Sequence, residues 1–106
     1  MGYRYEVAIA MKPEVYNNAL QEVKEAFSEI WNTPDRVEDD RIVFHHDYIK
    51  WYDDDLTVKT IMEFLHTLNY NEFGMLILGE EDSDIEYLGD VHAYGINYIR
   101  RIQIDC

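Results

Sequence analysis

Hydrophobic and polar positions change their period several times along this chain, and each change marks an element. From Tyr3 to Ala10 they alternate: Tyr3, Tyr5, Val7 and Ile9 fall on one face, and Arg4, Glu6, Ala8 and Ala10 on the other. A period of two is that of a strand. The small alanines predict a helix lying close over the second face. Pro13 suits a helical first turn, and Glu14 suits the positive end of the helix dipole. Val15, Ala19, Leu20, Val23, Phe27, Ile30 and Trp31 then recur at helical spacing, with Asn17, Asn18, Glu22, Lys24, Glu25, Ser28 and Glu29 between them. This predicts one amphipathic helix from Pro13 to Trp31, stopped by Asn32, Thr33 and Pro34.

Arg41 to Tyr52 breaks its own phase. Ile42 and Phe44 share one parity, Ile49 and Trp51 the other. A two-residue turn at His46-Asp47 repairs this by folding the segment into a hairpin, with Phe44 opposite Ile49 and Ile42 opposite Trp51. A bulge near the same place would also work and leaves one strand. Leu56, Val58, Ile61, Met62, Phe64, Leu65 and Leu68 form a second helical stripe, which Asp53, Asp54 or Asp55 caps and Asn69 and Asn71 end. Phe73 to Leu78 is a short apolar strand, residues 79–84 a turn, Ile85 to Leu88 a returning strand, and Tyr94 to Ile104 a less regular final strand. The expected fold is therefore α+β: a ferredoxin-like β-α-β-β-α-β order with an extra C-terminal strand or hairpin, and two helices on one face of an antiparallel sheet.

Composition agrees with a folded chain: 47% hydrophobic and 14% aromatic residues, over 106 positions. Disordered chains are poor in both. The length predicts one domain over residues 1–106. The longest apolar run, Met75 to Leu78, is far short of the ~20 residues a membrane helix needs. Cys106 is the lone cysteine, and the N-terminus lacks the pattern of a secretory leader, so a cytoplasmic location is expected.

Net charge changes the picture most. Twenty-two Asp and Glu oppose nine Lys and Arg, for −13 at pH 7. Such a surface repels nucleic acid and anionic membrane and attracts basic proteins. The charge gathers at element ends: Glu38, Asp39 and Asp40; Asp53, Asp54 and Asp55; and Glu80, Glu81, Asp82 and Asp84, with Glu86 close behind. Topology returns the last two runs to one end of the domain. In the hairpin version the first run joins them. At ~6 Å and an effective dielectric near 40–80, each close like-charge pair costs on the order of 0.7–1.4 kcal/mol before screening. Concentrating charge at that cost predicts a partner-binding end, with Tyr52 and Tyr87 beside it. The plainer alternative is a capped helix and a solvated loop.

Other chemistry finds little support. Asp82, Asp84 and Glu86 have the spacing of a calcium loop, but Tyr87 stands where glycine is needed and Ala93 where glutamate is needed. His45, His46, His66 and His92 lack zinc spacing. No glycine-rich phosphate loop or nucleophile elbow occurs. No catalytic residue, metal site or cofactor is expected.

Leu78 to Asp90, a strand, an acidic turn and a strand, resembles a segment of small uncharacterised acidic proteins from phages and prophages. The resemblance covers those residues alone. It implies no activity, only an accessory role of a class rich in small acidic inhibitors that resemble DNA in charge, in the host cytoplasm if phage-encoded. The expected function is binding a basic protein, and its narrower form is an inhibitor mimicking nucleic-acid charge to bind a basic host protein. The alternatives are a structural or homodimerising subunit, and a divalent-cation-dependent protein.

Overall fold

A computed structural model describes residues 4–52, 54–80, 84–98 and 102–104. Strand β1 (Tyr5–Met11) leads into two short helices, α1 (Pro13–Asn17) and α2 (Gln21–Trp31). Strands β2 (Arg36–Val37) and β3 (Ile42–Ile49) follow, then helix α3 (Leu56–His66) and a 3₁₀ turn at Tyr70–Glu72. Strands β4 (Phe73–Leu78), β5 (Ile85–Gly89), β6 (Ile96–Tyr98) and β7 (Ile102–Ile104) complete the order.

The expected single helix from Pro13 to Trp31 is broken. Asn17 and Asn18 are weak helix formers whose side chains compete for backbone partners. Asn18 closes α1 with its N–H on the Glu14 carbonyl, and Leu20 restarts the chain from an extended backbone. The Lys24 ammonium donates to the carbonyl of Asn17 at 2.9 Å, satisfying an orphan acceptor at the end of α1. The break lets both helices face the same core: the Tyr16 ring meets Phe27 at 5.8 Å and Phe44 at 5.5 Å.

Residues 41–52 do not fold into a hairpin at His46-Asp47. β3 runs through them as one strand beside β1, pairing Val7 with His46 and Tyr5 with Ile49. Two steps on β1 thus oppose three on β3, which is a bulge. A two-residue hairpin turn needs positive φ, and Asn32 is the only non-glycine residue with it among the described residues. The bulge inverts the parity, so Ile42, Phe44 and Ile49 all meet the same core. The hairpin lies one step earlier: β2 pairs with β3 around a turn closed by the Glu38 N–H on the Arg41 carbonyl.

The main sheet is antiparallel, in the order β2-β3-β1-β4-β5. Its five strands, with β5 at one edge, make an order different from that of a four-stranded ferredoxin-like sheet. One face carries Val7, Ile9, Phe44, Met75 and Ile77 and packs against Val23 and Phe27 of α2 and Val58, Ile61 and Leu65 of α3. The other face carries Ala8, Ala10, Val43, Leu76 and Leu78. Among the described residues no helix covers these alanines, contrary to expectation: Tyr94 and Ile96 do, with Ile104 beside them. The final strand is in fact two strands, β6 and β7, paired antiparallel in a separate small sheet. Cover on both faces explains why β4 reads as an uninterrupted apolar run. Buried Arg41 ties the layers together, donating to the carbonyl of Tyr94 at 2.6 Å and to the Glu38 carboxylate at 2.8 Å.

Candidate functional site

Strand register decides which acidic runs meet. Tyr5 lies opposite Ile49, Glu6 opposite Leu78, and Leu78 opposite Ile85, so these residues mark one end of the sheet. Met11, Ile42, Phe73 and Gly74 mark the other. The chain leaves β3 at Ile49, passes Trp51 and Tyr52, and enters α3 through Asp54 and Asp55 at the first end. Glu80, Asp84 and Glu86 lie at that end too, around the β4–β5 turn. Asp53, Glu81 and Asp82 lie outside the described residues.

Glu38, Asp39 and Asp40 do not join them. They form the β2–β3 turn, the length of β3 away, or about 23 Å at ~3.3 Å per residue. Their displacement follows directly from β3 being one strand. Glu38 is also neutralised in place, with Arg41 at 2.8 Å and Arg36 at 3.4 Å. The hydrogen bond from Arg41, aided by the charges of Arg41 and Arg36, holds its carboxyl below the usual glutamate range despite partial desolvation.

At the shared end, a groove of about 270 Å³ opens on the helix face of the sheet. Tyr5, Trp51, Tyr52, Met62 and Ile77 line it together with Asp84 and Glu86. Its parts come from five places: the start of β1, the β3–α3 connection, the second turn of α3, strand β4, and edge strand β5 with the residue before it. Parity places both carboxylates here, because alternate residues 84, 86 and 88 share the helix face with Ile77. The rings of Tyr5 and Tyr52 meet edge to face at 6.5 Å. Trp51 is buried and packs on Trp31 at 6.2 Å, so this wall is braced by the core. Small-molecule pockets usually occupy about 300–1,000 Å³. This groove is smaller and suits one or two side chains of a partner. Two carboxylates against aromatic walls favour a cationic one.

The other predicted residues are distributed as follows. Asp55 is the N-cap of α3, its Oδ1 accepting the N–H of Thr57 at 2.9 Å and of Val58 at 3.3 Å. Glu80 accepts the backbone N–H of Arg4 at 2.8 Å, which fastens the chain just past β4 to the start of β1. Tyr87 is 66% exposed, on the sheet face opposite the groove. Asp54 is exposed beside the cap.

Sequence reading missed one pair. Glu6, 9% exposed, has its carboxylate 2.8 Å from Nε2 of His45. His45 lies opposite Ala8, so Glu6 is its diagonal neighbour on the alanine face. Two polar residues on the small-residue side of paired strands were the available signal, hidden while residues 41–52 could still be a hairpin. His46 accepts the Tyr48 N–H through Nδ1 at 3.2 Å, and His66 and His92 are exposed. Among the described residues, no three of His, Cys, Asp and Glu converge as a metal site requires. No helix among them is long and apolar enough to cross a membrane.

No family model matches this chain, and no curated protein or solved structure is significantly similar to it.

Proposed function

We propose that this protein has a non-catalytic role and binds the basic surface of another protein through the end of the sheet that carries Asp54, Glu80, Asp84 and Glu86. The observation that carries this reading is the groove itself: Asp84 and Glu86 stand against an aromatic wall braced by the core. An excess of 22 acidic over nine basic residues adds long-range attraction for a cationic partner. Fold-level reasoning goes no further than the scaffold. We read that scaffold as a ferredoxin-like unit with β5 added at one edge, and the neighbouring order β4-β1-β3-β2 supports this.

A nucleic-acid mimic in a phage-type inhibitor is the narrower form of the proposal. Immobilised wild-type protein and an Asp84→Asn/Glu86→Gln variant are incubated with lysate, and retained basic proteins are identified. Binding should fall steeply from 50 to 500 mM salt and weaken severalfold in the variant. Duplex DNA should displace the partner if the charge of nucleic acid is being copied. Retention indifferent to both salt and variant would refute the proposal.

A further inference from the structure

The partner's backbone conformation follows from the edge of the sheet that borders the groove. Strand β5 pairs only with β4, and none of the described residues pairs with its other side. The ladder bonds identify which groups face outward. Gly79 donates to the carbonyl of Asp84 at 2.7 Å, and Asp90 donates to the carbonyl of Phe73 at 2.8 Å. Hydrogen-bonded pairs alternate along an antiparallel ladder, so Glu86 and Leu88 also bond inward to β4. Ile85 and Tyr87 therefore aim their N–H and C=O groups away from the sheet.

Side-chain parity divides the two faces of this edge. Asp84 and Glu86 lie on the groove face, and Ile85 and exposed Tyr87 on the other. We infer that β5 accepts an extended segment of the partner as a sixth strand, with Lys or Arg at alternate positions over Asp84 and Glu86 and apolar residues between them over Ile85 and Tyr87. The open backbone groups supply the ladder and the alternating side chains supply specificity. A second copy of this chain is a poorer occupant. Antiparallel pairing of β5 with itself sets acidic residues against acidic ones, whether centred on Glu86 or on Tyr87, where Asp84 would face Asp90.

The inference rests on the proposed basic partner, and one experiment separates the two. The probe is a labelled peptide of alternating Arg and Val, compared with the same peptide N-methylated at every second residue to remove the donors of one edge. Binding to the full chain is read by fluorescence anisotropy at 50 mM salt. The unmethylated peptide should bind at least 10-fold more tightly than at least one of the two methylation registers. Tyr87→Pro, which removes an outward N–H and spares the β4 ladder, should lose at least 10-fold relative to Tyr87→Ala. Amide exchange should slow at Ile85 and Tyr87 in the complex. Because the proline variant can fail to fold, the methylated peptides on wild-type protein decide alone. Equal binding of all peptides, lost in Asp84→Lys/Glu86→Lys, would overturn strand addition and leave the acidic groove standing. No binding by any peptide would count against both. A peptide-free dimer that Tyr87→Pro dissociates would assign the edge to a second copy and overturn the inference.

Discussion

Asp55 belongs both to the acidic end and to the helix that begins there, and two substitutions separate those roles. Its Oδ1 accepts one short bond, from Thr57 at 2.9 Å, and one long bond, from Val58 at 3.3 Å. Loss of an N-cap costs about 0.5–2 kcal/mol. One good bond and one marginal one, at an exposed position, place Asp55→Ala near the middle, at about 1 kcal/mol. Unfolding entropy is roughly 2.1 cal/mol/K per residue, so for a chain of 106 residues the melting temperature should fall by about 4–5 °C. Asp55→Asn keeps the acceptor oxygen and loses the charge. It gives up about 0.3–1 kcal/mol of interaction with the helix dipole and regains part of that through weaker repulsion from Asp54. Its melting temperature should fall by no more than about 2 °C. Thermal unfolding followed by far-ultraviolet circular dichroism resolves the difference. Both variants remove one negative charge, so both should weaken the basic partner to a similar extent. If alanine and asparagine melt alike, capping is not why an aspartate stands here. If neither alters partner binding, Asp55 is a cap and nothing more.

Three further outcomes test the fold and the electrostatics. Phe27 is fully buried and packs among Tyr16, Trp31, Phe44 and Phe64, so Phe27→Ala should cost about 3–5 kcal/mol in urea unfolding, close to the whole stability of a small domain. Gly89 has φ +69°, and an added Cβ would collide with the carbonyl oxygen of Phe73; Gly89→Ala should lose at least about 1–3 kcal/mol, with an unchanged denaturant slope if only the native state is strained. The carboxyl of Glu38 is held below its usual range by Arg41 and Arg36, so the unfolded chain takes up its proton first as pH falls. The stability advantage of wild type over Glu38→Gln should be complete above the ordinary glutamate value of 4.5 and disappear as pH drops through the lowered folded value, in acid titrations read by fluorescence.

Local pattern determined much of this protein. Alternation located β1, helical spacing located α2 and α3, and an acidic residue ahead of the stripe at Leu56 supplied the cap. These signals are short-range, because side-chain period and capping depend on neighbours a few residues away. The phase break in residues 41–52 was equally visible, but two structures satisfied it, and only the pairing of β3 with β1 chose the bulge. That choice had consequences far along the chain. It sent Glu38, Asp39 and Asp40 to the opposite end, and it brought His45 to Glu6.

The alanines of β1 called for something close above them, and sequence could not say whether a helix or the β6–β7 hairpin would fill that space. Composition established that the surface is strongly acidic. Which carboxylates share a groove depended on strand register, since a shift of one residue on β5 would move Asp84 and Glu86 to the other face. Register is set by contacts between residues distant in the chain, and no local period encodes them.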